Sequence, residues 1–336
     1  MKKVLVIGGG GYLGSVLTRQ LLEKGYDVSI FQRFLNQVPE VELLMKRGMK
    51  VLVGDVRLEN EVEKAIEGFD SVVHLAGLVG AGVCESDLEE ALKVNCTSTR
   101  NVLRACQKSN VERLIFASSC SVYGDAKEIV TESSPPNPVD LYAKTKLASE
   151  MDLLTSSSDN PAITIMRMGT VFGLSPRMRF DLFVNLLVAK ACTEKKITVR
   201  GGHQWRPIVH VRDVARAYVM ALEANKNLVN GQIFNVGSNE LNVTKGEVGE
   251  KIKLLVPDAQ VTYDPPDDMR DYRAEFKKIR TYIGFEPEIS LELGINEIVN
   301  EFKHGKFSDW KTLQYTNYRG DLKEYFKAIA KSKVTA

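Results

Sequence analysis

Three side chains in the middle of the chain have the types and the spacing of a proton-transfer site. Tyr142 and Lys146 are four residues apart in the segment DLYAKTKLASE, so on a helix both project from one face. A phenol has a pKa of about 10, and a nearby ammonium draws it toward neutrality, where the oxygen can exchange a proton with a hydroxyl. Ser119, in the segment SSCSVYG, is expected to hold the same oxygen by a hydrogen bond. The alternative is an ordinary amphipathic helix, because YxxxK also occurs by chance.

A glycine-rich turn near the start of the chain could hold a phosphate-bearing ligand. Gly8, Gly11 and Gly14 give the spacing GxxGxxG between a short apolar run at 4–7 and a helical pattern. This spacing allows a tight turn, close approach of the backbone to a pyrophosphate, and close packing of helix on strand. The first amides of the helix then face the anion. A tight turn without a ligand is the alternative, but the position between strand and helix favours a dinucleotide.

The hydrophobic pattern predicts a scaffold that would bring these groups together. Short apolar runs separated by helix-like stretches indicate parallel strands, and they cover residues 4–7, 27–31, 50–53, 71–76, 113–117 and 162–168. The predicted fold is therefore α/β, a Rossmann doubly wound parallel sheet with a smaller C-terminal substrate-binding lobe. We expect the dinucleotide-binding domain at 1–170, mainly the substrate lobe at 171–305 with the chain recrossing between lobes, and a tail at 306–336.

Two predicted strand ends on the ligand side of this sheet carry polar residues. Asp55 follows the third strand and could accept a hydrogen bond from an adenine amino group, although a loop or helix N-cap role is the alternative. His74, at the end of the fourth strand, is expected to be a packed residue rather than a catalyst.

The glycine turn, the serine at a strand end and YxxxK, in this order, resemble the extended short-chain dehydrogenase/reductase family of nucleotide-sugar epimerases, dehydratases and reductases. The resemblance implies Ser119, Tyr142 and Lys146 as the catalytic residues. It also implies that Asn95, in a segment matching NxxxTxN, is structural. The implied cofactor contacts are Gly8, Gly11, Tyr12, Leu13, Gln32, Arg33, Asp55, Val56, Leu75, Ala76, Gly77, Ala117, Tyr142 and Lys146.

The same resemblance implies a site for a nucleotide-sugar substrate. Thr170 lies in a segment similar to RxxNVYG, at the position where the family usually has Asn. Arg206 and Arg270 resemble two arginines that bind the substrate's phosphates, which forked hydrogen bonds would orient. The implied substrate contacts are Ser119, Thr170, Asn185, Leu186, Arg206 and Arg270.

The end of the second predicted strand bears on which dinucleotide binds. An NAD-binding Rossmann unit usually has an acid there for the ribose hydroxyls, but this chain has Gln32 followed by Arg33. With Gln32 in place of the acid, the site has no carboxylate here to repel a 2′-phosphate. Arg33 could pair with that phosphate, so the pattern favours NADP(H). NAD(H) stays open, because Gln can bind a ribose hydroxyl and Arg33 could stack on adenine or face water.

The residues before Tyr123 narrow the reaction. The family's 4,6-dehydratases resemble T-D-E-x-Y here, whereas this chain has Cys120 and Ser121, which do not readily replace a carboxyl pair. Cys120 also lies one residue earlier than the cysteine of the family's C3 or C5 epimerases, so we expect it to be a packed residue. The remaining reaction is hydride transfer at sugar C4 by a 4-ketoreductase. The alternatives are a 4-epimerase with the same triad and, from another class, a non-catalytic NAD(P)-binding redox sensor.

Composition gives no ground for a nucleic-acid or membrane partner. With 45 basic and 43 acidic side chains the net charge is +2, so a small-molecule partner is expected. The five cysteines form no cluster at metal-binding spacing, which indicates reduced thiols in a cytoplasmic protein without a metal.

Two expectations concern assembly. Family members commonly dimerise through two helices, which here begin near Glu85 and Val139, so a homodimer is implied. The tail mixes aromatic with basic residues and is expected to pack on the body, with a subunit interface as the alternative. Its aromatic residues include Trp310, Tyr315, Tyr318, Tyr325 and Phe326.

Overall fold

The structure is a computed structural model that describes residues 2–33, 39–156 and 160–317. The strands are β1 Lys3–Ile7, β2 Asp27–Gln32, β3 Lys50–Val53, β4 Ser71–His74, β5 Arg113–Ser119, β6 Asp125–Val130, β7 Ala162–Met168, β8 Thr170–Phe172, β9 Lys196–Arg200, β10 Trp205–His210, β11 Gln232–Val236, β12 Asn242–Thr244, β13 Gln260–Asp264 and β14 Asp271–Ala274. The helices are α1 Tyr12–Glu23, α2 Pro39–Lys46, α3 Glu59–Ile66, α4 Ala81–Ser86, α5 Leu88–Leu92, α6 Ser98–Lys108, α7 Leu141–Leu154, α8 Phe183–Glu194, α9 Val211–Glu223, α10 Lys226–Val229, α11 Lys245–Leu255, α12 Lys277–Ile283 and α13 Leu291–Lys303.

A seven-stranded parallel sheet in the order β11-β7-β5-β4-β1-β2-β3 confirms the predicted Rossmann architecture. All six apolar runs are strands of this sheet, and β11 is a seventh that the sequence analysis did not identify. The strand β4 stops at His74 rather than at Ala76, because the amides of Leu75 and Ala76 both donate hydrogen bonds to the carbonyl of Ile7. The strand order reverses between β1 and β4, which is where such sheets bind ligands.

Both faces of the sheet are covered, which explains why its strands read as uninterrupted apolar runs. Val4 and Val6 of β1 pack in the core on the side of α1 and α9, while Leu5 and Ile7 pack in the core on the side of α3 and α6.

Three small sheets build the rest of the described chain. The first pairs β10 with both β8 and β12, the second pairs β9 with β13, and the third pairs β6 with β14. Since β11 belongs to the large sheet, the chain crosses back into it after β10. The pairing of β14 with β6 brings the segment before Asp271 close to Gly124, beside the end of β5.

The described part of the tail packs on the chain's own body. Phe307 and Trp310 are buried, and both rings contact Phe180 in the loop before α8. The Phe180 amide donates a hydrogen bond to the Tyr315 carbonyl. This supports packing for Trp310 and Tyr315, while Tyr318, Tyr325 and Phe326 lie outside the described residues.

Candidate functional site

The turn between β1 and α1 has the geometry of a dinucleotide cradle. Gly8 has a φ of +86°, and a Cβ on it would lie 3.0 Å from the Ala76 amide nitrogen. A Cβ on Gly14 would lie 2.2 Å from the Gly8 carbonyl oxygen. The first glycine therefore allows the left-handed turn and the last allows α1 to pack against it. Gly11 is the N-cap of α1 and has no side chain to cover the first amides, which leaves room for an anion.

Apart from Tyr142 and Lys146, which belong to α7, the residues expected to contact the cofactor lie at one edge of the sheet. Because β1 to β5 are parallel and in register, their carboxyl ends meet there. The residues at or after those ends are Gly8, Gly11, Tyr12 and Leu13 for β1, Gln32 and Arg33 for β2, Asp55 and Val56 for β3, Leu75, Ala76 and Gly77 for β4, and Ala117 within β5.

Gln32 provides a direct test of whether this edge fits a dinucleotide. Its Oε1 accepts a hydrogen bond from the Gly10 amide at 3.0 Å. Its Nε2 is buried and has no hydrogen-bond partner within the described part of the chain. A buried donor without an acceptor is costly, and a ribose hydroxyl would satisfy it. The side chain therefore fits the group that the sheet edge implies.

Four charged side chains form a cluster beside Gln32, which we call the adenosine-end cluster: Arg33, Asp55, Arg57 and Glu90. Arg57 Nε lies 2.9 Å and 3.0 Å from the two carboxylate oxygens of Asp55, and its Nη1 lies 2.6 Å from Glu90 Oε2. Arg33 Nη1 lies 3.4 Å from Glu90 Oε1 and 3.8 Å from Asp55 Oδ2. Burial acts to raise the pKa of Asp55, but the hydrogen bonds from Arg57 lower it below its usual range. Sequence reasoning missed Arg57 and Glu90, since neither belongs to a motif.

Helix α7 and strand β5 bring the three predicted catalytic side chains together. Asp140 caps α7 by accepting a hydrogen bond from the Ala143 amide at 2.8 Å, so Tyr142 lies in the first turn. Ser119, the last residue of β5, lies near the Tyr142 hydroxyl and acts to lower its pKa. Lys146 Nζ donates to the Ala117 carbonyl at 2.8 Å and lies 6.0 Å from the centre of the Tyr142 ring. Both α7 side chains are buried.

Burial dominates the ionisation of this pair. It raises the pKa of Tyr142 to about 12, although Ser119 and the guanidinium of Arg179 act to lower it. It also lowers the pKa of the Lys146 ammonium to about 8. The expectation of a phenol pKa near neutrality is therefore wrong for this structure, because the loss of hydration outweighs the favourable contacts.

Arg179 is a cation near the reacting groups that sequence reasoning missed. It is buried and paired with Asp181, with Nε 3.0 Å from Oδ1, and it interacts electrostatically with both Tyr12 and Tyr142. Its only sequence signal is the short run PRMRFD.

Asn95 and His74 have the packing roles that the sequence predicted. Asn95 accepts a hydrogen bond from the Leu78 amide at 2.8 Å and donates to Thr145 Oγ1 of α7 at 2.9 Å. It lies in a π-helical turn, Lys93–Thr97, that joins α5 to α6. His74 is buried, and burial lowers its pKa to about 3.

A second polar cluster lies one turn beyond Lys146 on the same buried face of α7, and we call it the Glu150 network. Glu150 accepts hydrogen bonds from Ser118 Oγ and from Arg167, whose Nη2 lies 2.6 Å from Oε2. Arg167 Nη1 also contacts the Tyr123 hydroxyl at 3.0 Å, and that hydroxyl donates to Asn235 Oδ1 at 2.8 Å. All five side chains are buried.

Cys120 lies beside that network and not beside Tyr142. Its thiol donates to the Arg167 carbonyl at 3.1 Å, and burial raises its pKa well above the usual range. This is the packed position expected from the sequence.

The two arginines expected to bind phosphate converge on one carboxylate. Arg206 Nη2 lies 3.1 Å from Asp268 Oδ2, and Arg270 Nε lies 2.9 Å from Asp268 Oδ1. Burial acts to raise the pKa of Asp268, but the hydrogen bonds from Arg270 lower it far below its usual range. Lys245, which sequence reasoning missed, is a third cation here; it is buried, and burial lowers its pKa to about 8. Arg270 also lies 3.7 Å from Asp140, the cap of the helix that carries Tyr142.

The remaining predicted substrate residues have protein partners. Asn185 accepts from the Gly173 amide at 3.0 Å and donates to the Tyr12 hydroxyl at 3.2 Å, so it ties α8 to the glycine turn. Leu186 is partly buried in the core, and Thr170 begins β8 opposite Ile208 of β10. The contacts of these three residues with a substrate stay predictions.

Within the described ranges, no group of three or more acidic, histidine or cysteine side chains is arranged to hold a metal ion. None of the helices there is both long and apolar enough to cross a membrane.

Comparison with known proteins gives a family match and several relatives. The sequence model of the NAD dependent epimerase/dehydratase family matches residues 4–237. A UDP-N-acetyl-alpha-D-glucosaminuronate decarboxylase of Bacillus cytotoxicus is 25% identical over 90% of this chain and 98% of its own. A UDP-glucose 4-epimerase of Corynebacterium glutamicum is 29% identical over 71% of this chain and 76% of its own. The solved structure of MoeE5 in complex with UDP-glucuronic acid and NAD is 26% identical, with a TM-score of 0.80, over 90% of this chain and 99% of that one.

Proposed function

Because the chain belongs to the NAD dependent epimerase/dehydratase family, we propose that it is an NAD-dependent 4-epimerase of a UDP-sugar. The observation that carries the proposal is the meeting of Ser119, Tyr142 and Lys146 at the sheet edge that also carries the glycine turn. The 4-ketoreductase expected from the sequence uses the same residues, but it was favoured by a preference for NADP(H). That preference has no support in the family match or in MoeE5, and Arg33 is already paired with Glu90.

The cofactor residues at the sheet edge would hold NAD, which when bound supplies an acceptor and donor for the hydride of sugar C4. Tyr142 takes the proton of the 4-hydroxyl and returns it after the keto sugar has presented its other face. Ser119, which acts on the Tyr142 hydroxyl, is assigned to donate a hydrogen bond to the same oxygen. The Lys146 ammonium, protonated below a pKa of about 8, stabilises the phenolate that the proton transfer requires.

The substrate's diphosphate is assigned to Arg206 and Arg270, with Lys245 nearby. The two guanidiniums are held in place by Asp268, and a diphosphate would compete with that carboxylate for their forked hydrogen bonds. The choice of UDP rests on the names of the epimerase and decarboxylase relatives and of MoeE5.

A panel of UDP-, dTDP-, GDP- and CDP-sugars, followed by proton NMR with catalytic NAD⁺, tests the proposal. We expect the C4 epimer of a UDP-sugar to form without net consumption of cofactor. Stoichiometric consumption of NAD(P)H with a 4-keto sugar would instead identify the ketoreductase. Tight dinucleotide binding with no change at C4 of any sugar would refute both and favour the redox sensor.

The homodimer stays a prediction. A mass measurement in solution tests it, and a monomeric mass would contradict it.

A further inference from the structure

The adenosine end of the dinucleotide crevice contains an acidic side chain that comes from an unexpected element. Strand β2 ends at Gln32, which is neutral, so the chain lacks the acid that usually distinguishes NAD from NADP at this position. Among the residues that the structure describes, the acid nearest to the following Arg33 is Glu90 of α5, with Asp55 after β3 slightly farther away. Both carboxylates reach the end of β2 from elsewhere in the fold.

We propose that Glu90, supported by Asp55, replaces the missing strand-end acid and makes the site selective for NAD over NADP. The inference rests on the proposed function, because it concerns the cofactor of that same site. It assigns specificity to a residue 58 positions after Gln32, on a helix that carries no recognised cofactor motif.

The geometry explains why Arg33 does not recruit a 2′-phosphate. Its Nη1 lies within 4 Å of both carboxylates, and Arg57 connects the same two carboxylates through bonds to Asp55 and Glu90. The two acids and two arginines of the adenosine-end cluster thus balance each other. All four side chains are only partly exposed, which weakens screening by solvent and salt.

A 2′-phosphate would disturb this balance in two ways. It would bring a charge of about −2 close to Glu90 and Asp55, which repel it. To pair with it, Arg33 would have to leave Glu90, which would then lose one of its two cationic partners. A ribose hydroxyl carries no charge, and the unpartnered Nε2 of Gln32 is a suitable donor for it.

Glu90→Gln in the full-length chain, freed of copurified dinucleotide, tests the proposal by calorimetric titration with NAD⁺ and NADP⁺. We expect the wild-type chain to bind NAD⁺ more tightly. The substitution should tighten NADP⁺ binding about tenfold, with less than about a threefold change for NAD⁺, because it removes a like charge and frees Arg33. The matched control is Glu89→Gln on the same helix. Glu89 is exposed and pairs with Lys93, so its substitution should leave both affinities unchanged.

The double variant Arg33→Ala with Glu90→Gln tests whether Arg33 provides the added NADP⁺ affinity of Glu90→Gln. It should lose most of the added NADP⁺ affinity, because the freed guanidinium is gone. Melting temperatures without dinucleotide check that each variant is folded. If folded Glu90→Gln keeps the wild-type ratio of affinities, or if the wild type already binds NADP⁺ as tightly as NAD⁺, the proposal is overturned. A wild type that binds neither dinucleotide would instead refute the proposed function.

Discussion

Strand β5 ends in two adjacent serines that act on different turns of α7, which we call its Tyr142 side and its Glu150 side. Ser119 acts on the Tyr142 hydroxyl, while Ser118 is hydrogen-bonded to Glu150, eight residues farther along the same face of the helix. On the Tyr142 side, the Lys146 ammonium has one hydrogen-bond partner among the described residues, although it can donate three. On the Glu150 side, the carboxylate is held by Ser118 and by both ends of the Arg167 fork.

The difference separates the groups that could react from the groups that hold them. A side chain with unused hydrogen-bonding capacity can engage a substrate, whereas a buried network with every member satisfied rigidifies the scaffold. The Glu150 network ties α7 to β5 and β7, so it fixes the distance between Tyr142 and Ser119. Its loss should therefore affect stability first, and loss of the Tyr142 side should affect activity first.

Tyr142→Phe should have the largest effect. It removes the proton-exchanging oxygen, so we expect kcat to fall about a thousandfold, in line with the loss of general acid–base catalysis. The free energy of unfolding should change by less than about 1 kcal/mol, since the ring stays and one hydrogen bond is lost. Epimerase assays and denaturant unfolding measure the two quantities.

Tyr123→Phe is the matched control for that substitution. It removes the same atom from the Glu150 network, where the hydroxyl contacts Asn235 and Arg167. We expect a loss of stability of about 1 to 3 kcal/mol with kcat within a few-fold of the wild type. An active Tyr142→Phe variant would contradict the division into reacting groups around Tyr142 and supporting groups around Glu150.

Glu150→Ala should cost about 3 to 5 kcal/mol in the free energy of unfolding, because it leaves the buried Arg167 charge unpaired. Asp152→Ala is the control on the same helix. Asp152 forms a more exposed pair with Arg100, so its loss should cost less than about 1 kcal/mol. A Glu150→Ala variant with unchanged stability but no activity would place Glu150 among the reacting groups.

Lys146 should make the free energy of unfolding depend on pH. Burial lowers its pKa from 10.5 to about 8, so between these values the unfolded chain binds a proton that the native chain does not. Stability contributed by this group therefore rises with pH in that window. Between pH 7 and 9.5 the wild type should gain about 2 kcal/mol relative to Lys146→Met, measured by denaturant unfolding at each pH. Parallel curves for the two proteins would show that the ammonium is not held at a lowered pKa.

The sequence predicted the fold well because each strand of the large sheet is buried on both faces and reads as an apolar run. It missed β11, which lies outside the first α/β alternation and enters the sheet only after β10. Within the site, Tyr142 and Lys146 were identifiable because their spacing places them on one helical face. The roles of Glu90, Arg179 and Asp268 were not, since each depends on contacts between segments far apart in sequence.

Arg206 and Arg270 combine features of both sides. Like the Glu150 network they are bonded to a carboxylate of the protein, Asp268, yet they are assigned to the substrate's diphosphate. Arg270 is bonded to Asp268, but its side chain is 26% exposed, whereas that of Arg167 is 3% exposed. We expect Arg270→Lys to weaken UDP binding about tenfold in calorimetric titration, because an ammonium cannot form the forked hydrogen bonds.

Arg273→Lys is the matched control for that loss, since Arg273 lies three residues later, on β14, and stacks on Trp205. It should leave UDP affinity within about twofold of the wild type, because its guanidinium has no assigned phosphate contact. Equal losses in both variants would mean that the effect is not specific to Arg270, and would contradict its assignment as a ligand of the diphosphate. Unchanged binding in Arg270→Lys, together with lower stability, would place Arg270 and Asp268 with the Glu150 network, as groups that hold the site but do not bind its ligand.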